Sequence, residues 1–295
     1  NSRSMILWGR NPVSTNVSLV PIVAEIRRRG GTVVVVDPAP SRSVEVADRH
    51  IAPRPGTDAF LAMAAAKAIL AAGVEDRTFL DCHAEGAQEY LRILEGFSLE
   101  ELCSHCDVGT NDVRFLAAML MEQKPTSMLL GWGMHRHAEA HVSIRAIDAL
   151  CALSGNIGAS GGGVSQGFEE YGPYDQHFWG DGLNPPRRTL LLPRIGEEIL
   201  TARDPGIRMI YVTAANPVCM APNTARVGAA FRKAEFVVYS GHFMDDTADL
   251  AHVFLPATTF VEEDDIMASY GHNFVGPVNP AIAPVGQCRS EFEMF

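Results

Sequence analysis

The sequence predicts an α/β protein made of two Rossmann-like three-layer units with mainly parallel sheets, the second unit incomplete. Three observations predict it. Short apolar or β-branched runs alternate with segments of helical spacing, glycine or Asp-Pro punctuation closes the runs, and the alternation resumes after an interruption past residue 167.

Residues 5–8 are an apolar run closed by Gly9, the pattern of a buried strand. Residues 17–29 carry helical spacing through Leu19, Val20, Val23 and Ile26, and Gly30-Gly31 stops the helix. Residues 32–36 are a β-branched run of the kind covered on both faces in a parallel sheet, ended by Asp37-Pro38. Another short strand spans 48–52, and an Ala-, Leu- and Met-rich helix spans 58–72, capped by Thr57 or Asp58. Helices follow around 74–80, 84–94, 98–102 and 110–123, then a strand at 127–130 and a helix at 137–153.

From 168 to 188 the pattern breaks. Tyr171, Tyr174, Phe178 and Trp179 interleave with proline, glycine and aspartate, as in a long ordered loop or a domain junction. A smaller α/β unit follows, with strands at 208–213, 236–240 and 252–255, a helix at 223–233 and a helical turn at 246–250. The tail from Gly271 shows little periodicity, and no repeat of solenoid length is visible. The expected organisation is a cofactor-binding domain over 1–165, a connecting segment over 166–206 and a partial second cofactor-binding unit over 207–295.

Composition narrows the function. Hydrophobic residues make up 47% and charged residues 20%, as in ordinary globular proteins. A net charge of −11 disfavours non-specific binding to nucleic acid. No apolar run approaches the roughly 18 residues of a membrane span. No signal peptide is visible, which leaves the compartment open between cytoplasm and periplasm. The 6 cysteines are too few for a disulfide scaffold at this length. Cys103-Ser104-His105-Cys106 lacks a second ligand pair nearby and reads as thiols on or beside a helix.

Ligands of open α/β sheets bind at the carboxyl ends of the strands. Gly9-Arg10-Asn11-Pro12-Val13-Ser14-Thr15-Asn16 leaves the first strand, and the helix-start amides at 14–16 suit phosphate. Asp37 leaves the second strand where an acid accepts ribose hydroxyls. Pro55-Gly56-Thr57-Asp58 leads into a helix, and Gly131-Trp132-Gly133-Met134-His135-Arg136-His137 leaves the strand at 127–130. Ala215-Asn216-Pro217 and the segment from Gly241 through Phe243 to Thr247 repeat the theme in the second unit. The glycine-rich stretch 153–167 suggests a further loop whose amides approach a ligand closely. Neither GxGxxG nor GxxxxGK[ST] is present, so an ordinary dinucleotide fingerprint and a P-loop are disfavoured. Glu262 and Glu263 are candidates for holding a ligand loop.

At this point the chain resembles the central part of the molybdopterin oxidoreductase family, which includes formate dehydrogenases, periplasmic nitrate reductases, and thiosulfate, polysulfide and dimethyl sulfoxide reductases. The resemblance runs in order through Trp8 to Pro12, Val36 to Pro38, Ala47 to Asp58, and Gly131 to Gly133 with Arg136. It continues through Leu153 to Gly158 with Gly161 to Gly163, Asn216-Pro217, Phe243-Met244 with Thr247-Ala248, and Ala251 to Pro256 followed by Glu262. It implies a bis(molybdopterin guanine dinucleotide) cofactor carrying molybdenum or tungsten between two α/β domains. Gly9, Asn11, Ser14, Asp37, Gly56 and Asp58 would contact one dinucleotide, Asp58 accepting the guanine N–H groups. Gly131, Gly133 and Arg136 would lie nearer its pterin and phosphates, while Asn216, Phe243 and Thr247 would face the second dinucleotide.

Other features of the family are missing. A cysteine cluster for [4Fe–4S], the metal-ligating residue and a C-terminal covering domain are all expected outside these residues, so no catalytic or metal-ligating residue is assigned. The family's second α/β domain draws strands from elsewhere in the chain. Val164-Ser165-Gln166-Gly167 lacks the arginine of some formate dehydrogenases, and Asp37-Pro38-Ala39 lacks a family cation for which Arg42 is the candidate substitute. The resemblance thus implies a piece of a longer oxidoreductase, inactive alone, whose partners are the cofactor, its remaining domains and an iron–sulfur electron-transfer subunit. The alternative is a non-catalytic scaffold in an electron-transfer complex. The substrate is not readable from these loops.

Overall fold

The computed structural model describes residues 1–166, 188–268 and 274–295. The aromatic stretch at 168–187 and Gly167 therefore lie outside the described residues. The chain divides into two compact units, Asn1–Glu169 and Glu170–Phe295.

The first unit is a parallel five-stranded sheet ordered β3-β2-β1-β4-β5. Its strands are β1 (Ser4–Trp8), β2 (Val33–Val36), β3 (Arg49–Ile51), β4 (Thr126–Leu130) and β5 (Gly163–Ser165). Every residue of β1 and β2 is buried, as β-branched and apolar runs must be when helices cover both faces. A four-residue turn of helix, α1 (Pro12–Thr15), leads to α2 (Val20–Arg28), whose Val23 and Ile26 pack beneath Met5, Leu7, Val33 and Val35. The other face carries α3 (Asp58–Ala72), α4 (Arg77–His83), α5 (Ala87–Glu95), α6 (Leu99–Cys106), α7 (Thr110–Glu122) and α8 (Ala140–Leu153). Ala62, Ala64, Ala65 and Ala66 are fully buried on α3. These small side chains let α6, α7 and α8 pack close around it.

Some boundaries move for local reasons. The helix expected over 137–153 starts at Ala140, because Trp132–Arg136 forms a tight 3-10 turn first. The helix expected over 98–102 runs on to Cys106 with a Ser98 capping box. Its two cysteines are buried, and burial pushes the Cys106 thiol up to about 11. No cluster of metal-ligating side chains occurs among the described residues.

The glycine-rich stretch departs most from expectation. Helix α8 returns to the amino ends of the strands, so residues 154–162 lie there, opposite the strand exits. Asn156 is fully buried, accepts the Thr126 N–H at 2.8 Å and donates to Leu120 O and Ser154 Oγ. A Cβ on Gly161 would press on the Asn1–Ser2 backbone, and one on Gly162 would overlap the Asn156 carbonyl oxygen. The Asn1 side chain and the Ser2 hydroxyl bond to Ser160 Oγ and Gly161 O. Close packing between chain segments therefore accounts for these glycines. Gly163 then opens β5, a strand the sequence pattern hides.

In the second unit, β6 (Met209–Thr213), β7 (Phe236–Gly241) and β8 (Val253–Pro256) form a parallel sheet in that order. Helices α9 (Ile195–Thr201) and α11 (Thr224–Lys233) pack on each other, with Val227 and Phe231 in the core. The short α10 (Pro217–Met220) leaves β6. Helix α9 lies in the stretch expected to be purely connecting. The tail pairs β9 (Asp265–Ala268) with β10 (Val275–Val278) antiparallel and ends in α12 (Glu291–Met294). Among the described residues no helix is long and apolar enough to cross a membrane.

Candidate functional site

The strand exits of the first unit gather most of the expected residues. β1 and β4 leave the sheet in unusually close contact: Gly131 N donates to Trp8 O at 2.8 Å. A Cβ on Gly131 would overlap the Gly9 carbonyl oxygen and come 3.0 Å from Arg10 Cα. Gly9 itself is left-handed at φ +62, the conformation glycine adopts without strain. Nothing lies within 4 Å of a Cβ built on Gly133, so its backbone is open.

Asp58 is the buried charge of this site, only 6% exposed at the start of α3. Trp8 Nε1 donates to its Oδ1 at 2.7 Å. Burial raises its carboxyl above the usual range, against the lowering by the Trp8 bond and by His137, while Asp37 adds to the rise. Gly56 sits nearby at φ +78, against the His137 ring. Asp37 accepts the Ala39 N–H at 2.9 Å, and its carbonyl contacts His50 Nε2 at 2.8 Å.

Asn11 is braced. Ser43, wholly buried, donates its hydroxyl to Asn11 Oδ1 at 2.7 Å and accepts the Val13 N–H at 3.2 Å. The amides of Ser14, Thr15 and Asn16 are spent inside the turn, on Asn11 O and Pro12 O. This corrects the expectation that they receive phosphate: a turn this short closes on itself, while the Ser14 side chain stays exposed. Arg10 is half-buried, donates Nη1 to Leu130 O at 3.3 Å and leaves Nε buried without a partner. Burial lowers its pKa. Arg136 and Arg42 are exposed.

The second unit repeats the brace. Thr247 donates to Asn216 Oδ1 at 2.6 Å and accepts the Val218 N–H at 3.1 Å. Each hydroxyl lies on the exit of the following strand, 32 residues after Asn11 and 31 after Asn216. The residue two before each asparagine is left-handed, Gly9 at φ +62 and Ala214 at φ +50. Thr247 is fully buried with its hydroxyl bonded on both sides, so it holds Asn216 in place; direct exposure to a ligand, as the sequence suggested, is not its role. Asp245 ties this exit together by accepting Thr247 N–H, Ala248 N–H and the Tyr239 hydroxyl.

Phe243 is 77% exposed on the rim of a cleft of about 1090 Å³ that Asn216 also lines. The charged residues lining that cleft are carboxylates, with His242 the one basic side chain among the described lining residues. Glu262 accepts Thr259 N–H, the Thr259 hydroxyl and Val285 N–H, bonds that hold its carboxyl below the usual range. It thus ties Thr259 to Val285, and Glu263 accepts the Thr258 hydroxyl beside it.

Sequence reasoning placed Trp8, Arg10, His137 and Asp245 within these exits without giving them a role, and it missed Ser43 altogether. One signal was available: Asn-Pro-Val occurs at 11–13 and again at 216–218.

Comparison with known proteins agrees with this architecture. The molybdopterin oxidoreductase family profile matches residues 1–295. A probable oxidoreductase of Bacillus subtilis (strain 168), YyaE, is 35% identical over 99% of this chain and 44% of its own length. Formate dehydrogenase H of Escherichia coli (strain K12) is 25% identical over 93% of this chain and 42% of its own. The solved acetylene hydratase from Pelobacter acetylenicus shares the fold, with a TM-score of 0.80 at 18% identity, covering 99% of this chain and 46% of that one. The chain spans less than half the length of these relatives. Match and fold together place it: the chain belongs to the molybdopterin oxidoreductase family.

Proposed function

We propose that this chain is the central cofactor-binding part of a molybdenum or tungsten oxidoreductase and holds a bis(molybdopterin guanine dinucleotide) at the strand exits of its two units. The duplicated Asn-Pro-Val turn carries this proposal. Two units with the same hydroxyl-braced asparagine offer the same kind of ligand contact twice, which suits a cofactor with two dinucleotide arms. The donor set also fits phosphate-bearing arms, since Arg10 keeps a buried Nε unpartnered.

In the first unit, Asp58 accepts the guanine N–H groups and Asp37 a ribose hydroxyl, with Gly9, Asn11, Ser14 and Gly56 along the same dinucleotide. Gly131, Gly133 and Arg136 lie toward its pterin and phosphates. In the second unit, Asn216 and Phe243 meet the other arm and Thr247 supports Asn216 from behind. When bound in the parent protein, the metal supplies two-electron or oxygen-atom-transfer chemistry on a small substrate. The residues of this chain bind and orient the cofactor's outer parts. A [4Fe–4S] cluster elsewhere in the parent, its remaining domains and an iron–sulfur subunit complete the electron path, and the isolated 295 residues give no turnover with formate, nitrate or thiosulfate and a dye. A non-binding scaffold gains nothing from a buried carboxylate at 58 or a buried, unpartnered Nε on Arg10.

Calorimetric titration of the 295-residue chain with GDP and ADP tests the guanine assignment. GDP is expected to bind in about the micromolar to millimolar range, more tightly than ADP, with the preference lost in Asp58→Asn. Equal affinities, or a preference that survives in the variant, overturn it.

A further inference from the structure

Helices α4, α5 and α8 leave a hollow of about 300 Å³ between them in the first unit. Its cause is side-chain size. Ala149 and Ala152 stand three residues apart on one face of α8, and Ala84 and Ala87 flank the turn from α4 to α5. Alanines at these positions leave a gap that larger side chains would fill. Leu80 and Leu153, 8% and 1% exposed, are its most buried lining residues, and the rings of Phe79 and Tyr90 line it as well. Ile157 completes the lining. The buried Asn156 before it is bonded to Thr126, Leu120 and Ser154, so the glycine-rich loop holds Ile157 in a fixed place.

The hollow is separate from the strand exits. Helix α8 begins near those exits and returns to the amino ends, and only its stretch from Asp148 to Leu153 lines the hollow. No residue assigned to the cofactor is among the lining residues.

Its charge is mainly of one sign. Glu85 and Asp148 line it, neither lysine nor arginine does, and His83 is the one basic side chain among the described lining residues. Both carboxylates are exposed at the mouth and make no ion pair among the described residues; Arg145, one turn earlier on α8, does not pair with Asp148. The protein around Asp148 nevertheless desolvates its carboxyl and raises its pKa above the usual range. A carboxylate so placed gains from a cation that brings its own N–H donors.

We propose that the hollow between α4, α5 and α8 binds a small organic cation, an ammonium group carried on an aromatic or branched aliphatic body. The body leaves water for the surfaces of Leu80, Leu91, Leu153 and Ile157. The faces of Phe79 and Tyr90 favour the positive charge, and Asp148 takes the ammonium with Glu85 adding to the field. An anion of the same shape is repelled. The site stands independently of the cofactor proposal.

Calorimetric titration of the full 295-residue chain with phenethylamine hydrochloride, hydrocinnamyl alcohol and hydrocinnamate tests this, since the three share a body and differ in charge. Phenethylamine is expected to bind with a dissociation constant of about 1 mM, the alcohol about fivefold more weakly and hydrocinnamate more weakly still. Asp148→Asn is expected to weaken phenethylamine about three- to tenfold and to leave the alcohol unchanged. Ala152→Leu, which fills the hollow, is expected to abolish binding of both. Thermal melting checks that each variant is folded, and Ala87→Leu replaces Ala152→Leu should the latter not fold. Absence of phenethylamine binding at about 10 mM overturns the proposal. Equal affinities for the three compounds overturn the cation assignment. Phenethylamine binding that survives both Asp148→Asn and the filled hollow lies elsewhere on the chain and overturns the site. Self-association of the chain that disappears when the hollow is filled gives the hollow to a second copy and overturns the small-ligand reading.

Discussion

The first strands of the two units end in the same turn, set in opposite surroundings. The strand exits around Asn11 carry an arginine with a buried, unpartnered Nε, a buried carboxylate and open glycine backbone. Around Asn216 they carry alanine, the exposed ring of Phe243 and a cleft rimmed by carboxylates. The brace is the constant part because it solves a local problem. Proline at the first helical position has no N–H, and the next amide needs an acceptor, which a buried hydroxyl supplies while fixing the asparagine. The variable part is charge, and charge decides which ligand group each turn can hold.

Several substitutions break or sharpen that comparison. The largest effect is expected at Gly131, whose contact between strand exits has no equivalent among the described residues of the second unit. Gly131→Val drives a side chain into the Gly9 carbonyl and should cost more than about 3 kcal/mol, read as a large drop in the urea midpoint. A mild effect would mean that the β1 and β4 exits can separate freely.

If the two braces are the same device, Ser43→Ala and Thr247→Ala should each cost about 1–3 kcal/mol, with Ser43→Thr and Thr247→Ser recovering most of it. A brace variant without effect on stability in one unit would end the equivalence. Gly9→Ala adds left-handed strain and a Cβ 2.9 Å from Met134 Cγ. A loss of about 1–2 kcal/mol is expected.

Asp58→Asn should act with pH. Burial raises the folded-state pKa of Asp58, so the folded chain holds its proton more tightly than the unfolded chain does. The ionised carboxylate therefore destabilises the fold increasingly as pH rises from the unfolded-state pKa through the raised one. Asp58→Asn, which can still accept from Trp8, should be more stable than wild type at neutral pH. The gap should close as pH falls below the ordinary aspartate range, and denaturant melts across that range read it. A gap that widens toward acid would show that the carboxylate is stabilised in place.

The smallest effect is expected at Ala214. Relief of its left-handed strain, offset by the greater freedom of glycine when unfolded, should make Ala214→Gly stabilising by about 0.5 kcal/mol. The opposite sign from Gly9→Ala would confirm that both turns require the same backbone.

The sequence by itself determined the alternation of strands and helices and the places where the chain leaves the sheets. Val33–Val36 and the helix Asp58–Ala72 stand where their patterns put them, because a β-branched run closed by Asp-Pro and a capped Ala-, Leu- and Met-rich stretch mark buried elements directly in the sequence. The ordered family motifs were likewise legible, and with them the family. The braces were only half legible. Asn-Pro-Val can be read twice in the chain, but Ser43 and Thr247 lie 32 and 31 residues away, and only the sheet brings them back to their asparagines.

The glycines at 155–163 misled for a related reason. The same lack of a Cβ admits a ligand or another stretch of backbone, and at Gly161 and Gly162 the return of α8 to the amino ends decided for backbone. Burial of Asp58 against Trp8, the unpartnered Nε of Arg10 and the bracing of Asn11 by Ser43 are also tertiary decisions. They depend on which donors and acceptors meet after the chain has closed on itself, and spacing along the sequence does not carry that information.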